Sequence, residues 1–275
     1  MALSILNNIP SLAAENELNV TQANLQHTLF QLSSGSRINS GADDAAGLAI
    51  ANGLQANITA LTQSVQNANN GVGSLQVADG ALGQVTTILN RAITLGTEAA
   101  TGTVSDSQRV ALNAEYQSIL AEINSIGLNT TFNGAPVFTS GTTSIFLSDS
   151  TVAGTTTIVV STGLLSASGV GGLGLSGDLS TQADAVAELS NINAAIVQVA
   201  AARGNIGAGI NRLQAASTVI SNEIQNLTTA EDGITAADIP TVIANLSKYS
   251  ILEQTGISAL AQANTQQQQV LNLLH

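Results

Sequence analysis

The sequence predicts a mainly α protein: an elongated rod of long coiled-coil helices with a small β-hairpin insert. Three observations predict it. The first is apolar spacing at strict seven-residue intervals on both sides of the chain's middle. Ile192, Val199, Ile206, Leu213, Ile220 and Leu227 form one ladder, and Leu189, Ile196, Ile210 and Ile224 form a second, interrupted by Arg203 and Ser217. In the N-terminal half, Leu54, Leu61, Ala68, Leu75, Leu82 and Leu89 repeat the pattern, flanked by Ile58, Val65, Val72 and Ile93. A repeat averaging 3.5 residues keeps one seam turned toward a partner helix, and about 40 such residues rise roughly 60 Å. The second observation is compositional: 44% of residues are hydrophobic but only 2% are aromatic. Ala, Leu, Ile and Val suit closely packed helices and give little bulk for a thick globular core. The third is a change of language from about residue 129 to 180, where Thr, Ser, Gly and Val take over.

Each element has its local reason. Ile5, Ile9, Leu12, Leu18, Leu25, Leu29 and Leu32 make residues 1–33 an amphipathic helix, which Ser33-Ser34-Gly35-Ser36 breaks. Asn39 and Ser40 are placed to cap a second helix, putting Asp43 and Asp44 in its first turn at the positive end of the dipole. That helix runs to about Ala100, where Thr101-Gly102-Thr103 ends it, and Ser105 or Asp106 caps a third. Phe132-Asn133-Gly134 signals a turn; residues 144–148 and 155–161 read as short strands joined through Gly154, and 169–177 as a flexible return. The long heptad helix follows to about Thr229, interrupted by Ala230-Glu231-Asp232-Gly233. A last helix starts near Ala237 with Pro240 in its first turn, and carries Ile239, Val242, Ile243, Leu246, Tyr249, Leu252 and Leu260. Val270, Leu273 and Leu274 close the chain. The outer helices have too few neighbours to bury their apolar sides within one chain, so they are expected to order on a partner.

Composition and motifs exclude several function classes. Eighteen acids against six scattered bases, a net charge of −12, argue against nucleic acid, which needs clustered Lys and Arg. No cysteine is present, so disulfides and thiolate metal sites are excluded. The start lacks a basic segment and a long apolar core, and no run of about 18 apolar residues appears. No cleaved secretory signal and no membrane insertion are therefore expected. Asp43 and Asp44, if helical, point about 100° apart and are explained by the dipole, so they make no acid–base pair. His27 and His275 lie in no metal-ligand motif, and no His lies between them. Gly171-Gly172-Leu-Gly174 lacks the Lys and Ser/Thr of a phosphate loop. No catalytic residue, cofactor or metal is assigned, and an enzyme is the least supported class.

Two long motifs at opposite ends carry a family resemblance. They are Leu32-Ser-Ser-Gly-Ser-Arg37-Ile-Asn39-Ser40-Gly-Ala-Asp43-Asp44-Ala-Ala-Gly47-Leu-Ala-Ile50-Ala51 and Gln254-Thr-Gly256-Ile-Ser-Ala-Leu260-Ala-Gln262-Ala-Asn264, with Val270-Leu-Asn-Leu-Leu274 beyond. In these residues the chain resembles bacterial flagellin, and Phe132-Asn133-Gly134 is similar to the turn ending that family's N-terminal core helices. The resemblance covers about 1–140 and 180–275, and the short insert looks like a minimal form without outer variable domains. It implies a structural subunit, exported and self-assembling into the extracellular flagellar filament used for swimming. The implied partners are further copies of the chain, an export chaperone, and hook-associated or cap proteins. It also implies that the N- and C-terminal helices are paired in a discontinuous filament-core domain, 1–43 with 235–275, expected to be disordered in the monomer, and that a helical rod, 44–234, carries the insert at about 130–180. The assembly interface expected on this reading comprises Leu18, Leu25, Leu29, Leu32, Arg37, Asp43, Asp44, Leu246, Leu252, Leu260, Val270, Leu273 and Leu274. In the surface region that an animal innate-immune receptor recognises in many relatives, Arg91, Leu95 and Glu115 match, whereas Thr94 and Ser118 stand where recognised members carry charge. The alternative reading is a hook–filament junction protein, which shares the terminal helices. A coiled-coil translocator or adhesin would want a membrane-inserting segment or a receptor-binding head.

Overall fold

Five helices and two small β-hairpins make up the computed structural model, which describes residues 8–149, 157–168 and 172–272. The fold is mainly α, with its strands confined to antiparallel pairs. In chain order come α1 (Ile9–Ser34), α2 (Ala45–Ala100), α3 (Asp106–Asn129), β1 (Thr131–Phe132), β2 (Ala135–Pro136), β3 (Thr143–Phe146), β4 (Thr157–Val160), α4 (Gln182–Thr235) and α5 (Ile239–Asn272). The chain divides into two compact units, one holding both ends as far as Ala56 and from Asn226, the other spanning Asn57–Gln225. The divisions fall inside α2 and α4, not in the segments before and after them.

Helix ends obey local chemistry. The Asn8 side chain caps α1 by accepting from Ser11 N, and Gly35 (φ 70°) ends it in a left-handed turn whose N–H donates to Gln31 O. Ser105 and Gln108 form a reciprocal capping box at the start of α3. At the other end of the α2–α3 turn, the buried Arg109 guanidinium donates to Ala99 O and Thr101 O, satisfying carbonyls at the end of α2, and pairs with Asp106. In α5 the first turn accommodates Pro240, while Asp238 accepts from Thr241 Oγ1 through its side chain and from Val242 N through its carbonyl.

Three expectations are corrected. Helix α2 starts at Ala45, so Asp43 and Asp44 are not inside its first turn; Asp44 sits at the cap, its Oδ1 accepting from Gly47 N at 2.8 Å. Residues 230–233 do not interrupt α4, which continues to Thr235 with Ala236 N still donating to Asp232 O. A lone helical glycine such as Gly233 costs only about 1 kcal/mol, too little to stop a long helix. The segment read as a flexible return is held down over residues 172–179: Leu173, Leu175 and Leu179 are buried, and Asn113 Oδ1 accepts from Leu179 N. Residues 169–171, and the join through Gly154, lie outside the described residues.

In the 57–225 unit, α2 and α4 run antiparallel. Asp79 meets Arg203, and Cβ atoms added at Gly209 and Gly96 would touch Leu75 and Leu189. One line of rungs is large: Leu61, Leu75, Leu82 and Leu89 on α2, and Ile192, Val199, Ile206, Leu213 and Ile220 on α4, are all buried. Leu54 and Leu227 are half-buried. The second buried line is made of small residues. Ser64, Ala78, Val85, Ala92 and Ala99 serve α2, and Ala195 and Gly209, in line with the buried Glu188, serve α4, whereas Ile58, Val65, Val72, Ile93, Leu189, Ile196, Ile210 and Ile224 are only half-buried. Small rungs admit a third layer: a Cβ at Gly71 would run into Ile145 of β3, and one at Gly209 would press on Val160 of β4. Arg203, outside the seam, forms a two-pronged exposed pair with Asp79 and lowers its pKa chiefly through that hydrogen bond. An 18-residue window of α4 is long and apolar enough to cross a bilayer by length and composition, through scattered Ala, Val and Ile. Ile192, Val199, Ile206, Leu213 and Ile220 of this helix are buried in the seam.

The insert is two hairpins. Asn133 and Gly134, both at positive φ, make the two-residue turn between β1 and β2. In the second hairpin Ile145 faces Ile158 and Thr143 faces Val160 on the inner side. One buried polar cluster joins α3 to α4: Tyr116 hydroxyl donates to Glu188 Oε1 at 2.6 Å and Asn191 donates to Oε2 at 2.7 Å. Burial, and then the adjacent carboxylate, push the Tyr116 hydroxyl far above the usual phenol range.

Two outcomes follow from this packing. Ile206→Asp places an unpaired charge on a fully buried rung and should cost about 3 kcal/mol or more in urea unfolding. Val197→Asp, on the same helix at a position 67% exposed, should change stability by less than about 0.5 kcal/mol; equal effects would refute the seam. Tyr116→Phe leaves a buried carboxylate oxygen without its donor and should cost about 1–3 kcal/mol by the same measurement.

Candidate assembly surface

The unit that holds both chain ends is built on α1 and α5, which pair antiparallel. At one end Asn8 Nδ2 donates to Ala263 O and Asn264 Oδ1 (3.3 Å each) and Ser11 Oγ to Asn264 Oδ1 (3.0 Å); further along, Gln22 reaches Glu253 at 3.4 Å. A heptad pattern decides which side chains face inward. Thr21 and Thr28 are buried on α1 between half-buried Leu18, Leu25 and Leu32. On α5, Val242 is buried and Leu246, Tyr249, Gly256 and Leu260 are half-buried. Gly256 gives close clearance: a Cβ there would lie 3.2 Å from Leu18 Cδ1. Thr28 spends its hydroxyl on Asn24 O, so its methyl can face the seam.

The terminal helices thus cover one side of each other within the chain, contrary to the expectation that neither could bury a face there. What they leave exposed is substantial. Ile9, Leu12, Val20, Leu29 and Phe30 on α1, and Ile239, Ile243, Ile251, Leu252 and Ile257 on α5, are exposed, with Phe30 at 67% and Ile251 at 64%. Of the expected interface leucines, Leu29 and Leu252 belong to this outer set, whereas Leu18, Leu25, Leu32, Leu246 and Leu260 lie toward the intrachain pair. Val270 lies within α5, and Leu273 and Leu274 fall outside the described residues.

Arg37, Asp43 and Asp44 belong to the segment linking α1 to α2, and all three have partners inside the unit. Arg37 N donates to Thr235 O at 2.7 Å and its Nη2 to Ile234 O at 2.9 Å, placing a cation on the C-terminal carbonyls of α4. Ser36 and Ala236 form an antiparallel bridge, and Ala237 N donates to Gly35 O. The segment between α1 and α2 is therefore laced to the one between α4 and α5. Asp43 organises its own turn: Oδ2 accepts from Asn39 N at 2.9 Å and Ser40 N at 2.8 Å, and Oδ1 lies 2.9 Å from His27 Nε2 on α1. These donors, the Asn39 amide first and His27 second, hold the Asp43 carboxyl at about 2. Val20, Phe30, Ile251 and Ile257 of the outer set, and the lacing, were not singled out from sequence; the seven-residue spacing of Ala14, Thr21 and Thr28 was the available signal for the inner face.

Elsewhere, the receptor-like region is only partly at the surface. Arg91 and Glu115 form an exposed ion pair at 2.7 Å, but Leu95 is fully buried. Thr94 and Ser118 donate to Asn90 O and Ala114 O of their own helices. Among the described residues no group of three or more His, Asp or Glu side chains is arranged to hold a metal ion.

Residues 5–143 match the bacterial flagellin N-terminal helical region and residues 189–274 the bacterial flagellin C-terminal helical region. The flagellar filament 30.7 kDa core protein of Treponema maltophilum is 31% identical over 98% of this chain and 99% of its own length. A flagellin of Halalkalibacterium halodurans is 31% identical, also covering 98% of this chain and 99% of the relative. The crystal structure of Bacillus cereus flagellin superposes with a TM-score of 0.50 at 26% identity, covering 60% of this chain and 94% of that one.

The depressed Asp43 pKa sets a pH dependence. An acid whose folded pKa lies below its unfolded value contributes stability above the unfolded value and loses it as pH falls toward the folded one. The window here is from 3.8 down to about 2. Across it, the unfolding midpoint of the unaltered chain should fall more steeply than that of Asp43→Asn, the two converging at the acid end. Parallel curves would show that the turn contributes no such linkage.

Proposed function

Since the chain belongs to the bacterial flagellin family, and is thereby a structural subunit of a flagellar filament, we propose that its assembly runs through the outer faces of α1 and α5. The observation that carries this is the ten large apolar residues exposed on a helix pair whose other side is already used. In one chain that surface meets water; against neighbouring copies its burial offsets the cost of ordering and association. Head-to-tail repetition of an interface that does not close on itself yields a helical filament. Arg37, Asp43 and Asp44 act here by positioning: they tie the link between α1 and α2 to the end of α4, so that the faces are presented in a defined register. The terminal cluster Val270, Leu273 and Leu274 is assigned to the same assembly element. Discontinuous domains, 1–43 with 235–275 and 44–234, are kept as the functional division.

Export without a cleaved signal, an extracellular location, an export chaperone on the C-terminal helix, and hook-associated or cap proteins at the filament ends belong to the same reading. Family membership supports them. A chain with this role needs stiffness and matched surfaces and no catalytic group, and it is read as a non-enzyme. The junction-protein alternative gains nothing from relatives that match end to end as a filament core protein and a flagellin.

The test uses the full chain and filament seeds of the same protein, followed by light scattering. Phe30→Asp and Ile251→Asp should each slow seeded elongation at least about tenfold, while far-ultraviolet circular dichroism of the monomer stays unchanged, because both side chains are exposed in the single chain. Elongation at the unaltered rate in both variants would remove these faces from assembly.

A further inference from the structure

A second surface feature lies in the 57–225 unit. A cleft of about 950 Å³ opens between α2, the β1–β2 turn and strand β3. Its floor is apolar, with Leu75, Ile145 and Val160 buried beneath it. The floor exists because α2 carries Gly71 and Gly73 here: a side chain at Gly71 would collide with Ile145, and a Cβ at Gly73 would lie 3.3 Å from the Phe132 ring. Two aromatic residues, Phe132 and Phe146, are among those that line it, in a chain with only four Phe.

Among the described residues the polar lining is uncharged. Asn70 and Ser74 on α2, Asn133 in the turn, and Thr143 and Ser144 on β3 line the cleft, and among the described residues none of these side chains is bonded to another group. By contrast, Asn67 and Thr162 at the same cleft are committed, donating to Phe146 O and Val137 O. Among the described residues, no Asp, Glu, Lys, Arg or His lines it.

We infer that this cleft binds a neutral oligosaccharide. Amide and hydroxyl groups that both donate and accept match vicinal sugar hydroxyls, which do the same. An aromatic rim offers flat surface to the C–H faces of a pyranose ring, and an apolar floor with a few placed polar groups is the usual make-up of a small-ligand site. Uncharged walls on a chain of net charge −12 select against acidic sugars, which find no cation to offset repulsion. The rival occupant, an extended peptide adding to β3, fits less well: Asn67 already occupies the Phe146 carbonyl.

The experiment titrates maltotriose, cellotriose and tri-N-acetylchitotriose into the ¹⁵N-labelled full-length monomer, following backbone amide shifts. At least one neutral trisaccharide should shift amides of residues 70–75, 132–137 and 143–146 saturably. Trigalacturonate, equal in size but acidic, should bind at least about tenfold more weakly. Asn70→Ala, an exposed helix position that leaves the fold intact, and Phe146→Ala should each weaken the neutral sugar about tenfold. The inference is overturned if no trisaccharide shifts these amides at 10-fold molar excess and above, to the solubility limit, or if trigalacturonate binds equally well. It is likewise overturned if both variants bind as the unaltered chain does, or if only a Thr/Val-rich hexapeptide perturbs β3.

Discussion

A helix of more than fifty residues with almost no charge needs an apolar partner along much of its length. Helix α2 has 56 residues, of which only Asp79, Arg91 and Glu98 are charged. Surface ion pairs cannot stabilise such a helix, since an exposed pair is worth about 0–1 kcal/mol. Its stability therefore comes from burying a rung every three or four residues, and the rest of the 57–225 unit follows from that need. Large rungs on one line set the spacing of α2 and α4. Small rungs on the other line let α3 and the second hairpin approach closely enough to complete the burial.

The terminal pair solves the same problem only halfway. Its inner seam uses small and β-branched residues, Thr21, Thr28 and Gly256, which bring the helices together but bury modest area each. Leu18, Leu25, Leu32, Val242, Leu246 and Leu260 lie toward that seam, but ten other large apolar residues of the pair are turned outward. For a monomer that is a liability, because contiguous exposed apolar surface promotes association. Under the assembly proposed above it is the working surface. A fully self-satisfied pair would leave nothing to drive assembly, and an unpaired one would have no defined face to present. The hydrogen bonds joining residues 35–37 to 234–237 supply the definition, by fixing where each terminal helix begins and ends.

Much of this was legible from residue order. The large ladders, the cap at Ser105, the Asn133-Gly134 turn and the tolerated Pro240 are each written in residue types with one strong preference. What could not be read were positions whose chemistry is ambiguous alone. Alanine, serine and glycine rungs carry little hydropathy, so the larger flanking Ile58, Val65, Leu189 and Ile196 looked like the second ladder although they are half-buried. Asp43 and Asp44 both suit a helix start; only the three-dimensional turn reveals that one caps the helix and the other holds the loop. Gly233 resembled a breaker because its context, a helix with hydrogen bonds continuing on both sides, is not local. Leu95 matched a surface motif by sequence, yet its heptad neighbours Leu89, Ala92 and Ala99 place it among buried positions.

The insert shows why composition misleads in the other direction. Its Thr, Ser and Gly suggest a loose excursion from the helices, and two-stranded hairpins are marginal by themselves. Yet Ile145, Ile158 and Val160 are buried, Asn124 holds Ser166 and Ala167, and the Leu165 carbonyl lies against Gly127, where any Cβ would collide with it. The segment stands outside both ladders but inside the core. A short insert can be rigid here because the helices have been thinned to receive it, at Gly71, Gly127 and Gly209. Those same glycines would gain helix propensity as alanine, about 1 kcal/mol each, and the structure forgoes that gain to keep a third layer. The cleft beside β3 is one product of the arrangement: rigid walls from the hairpins, a floor made by missing side chains, and polar groups left unspent at its mouth.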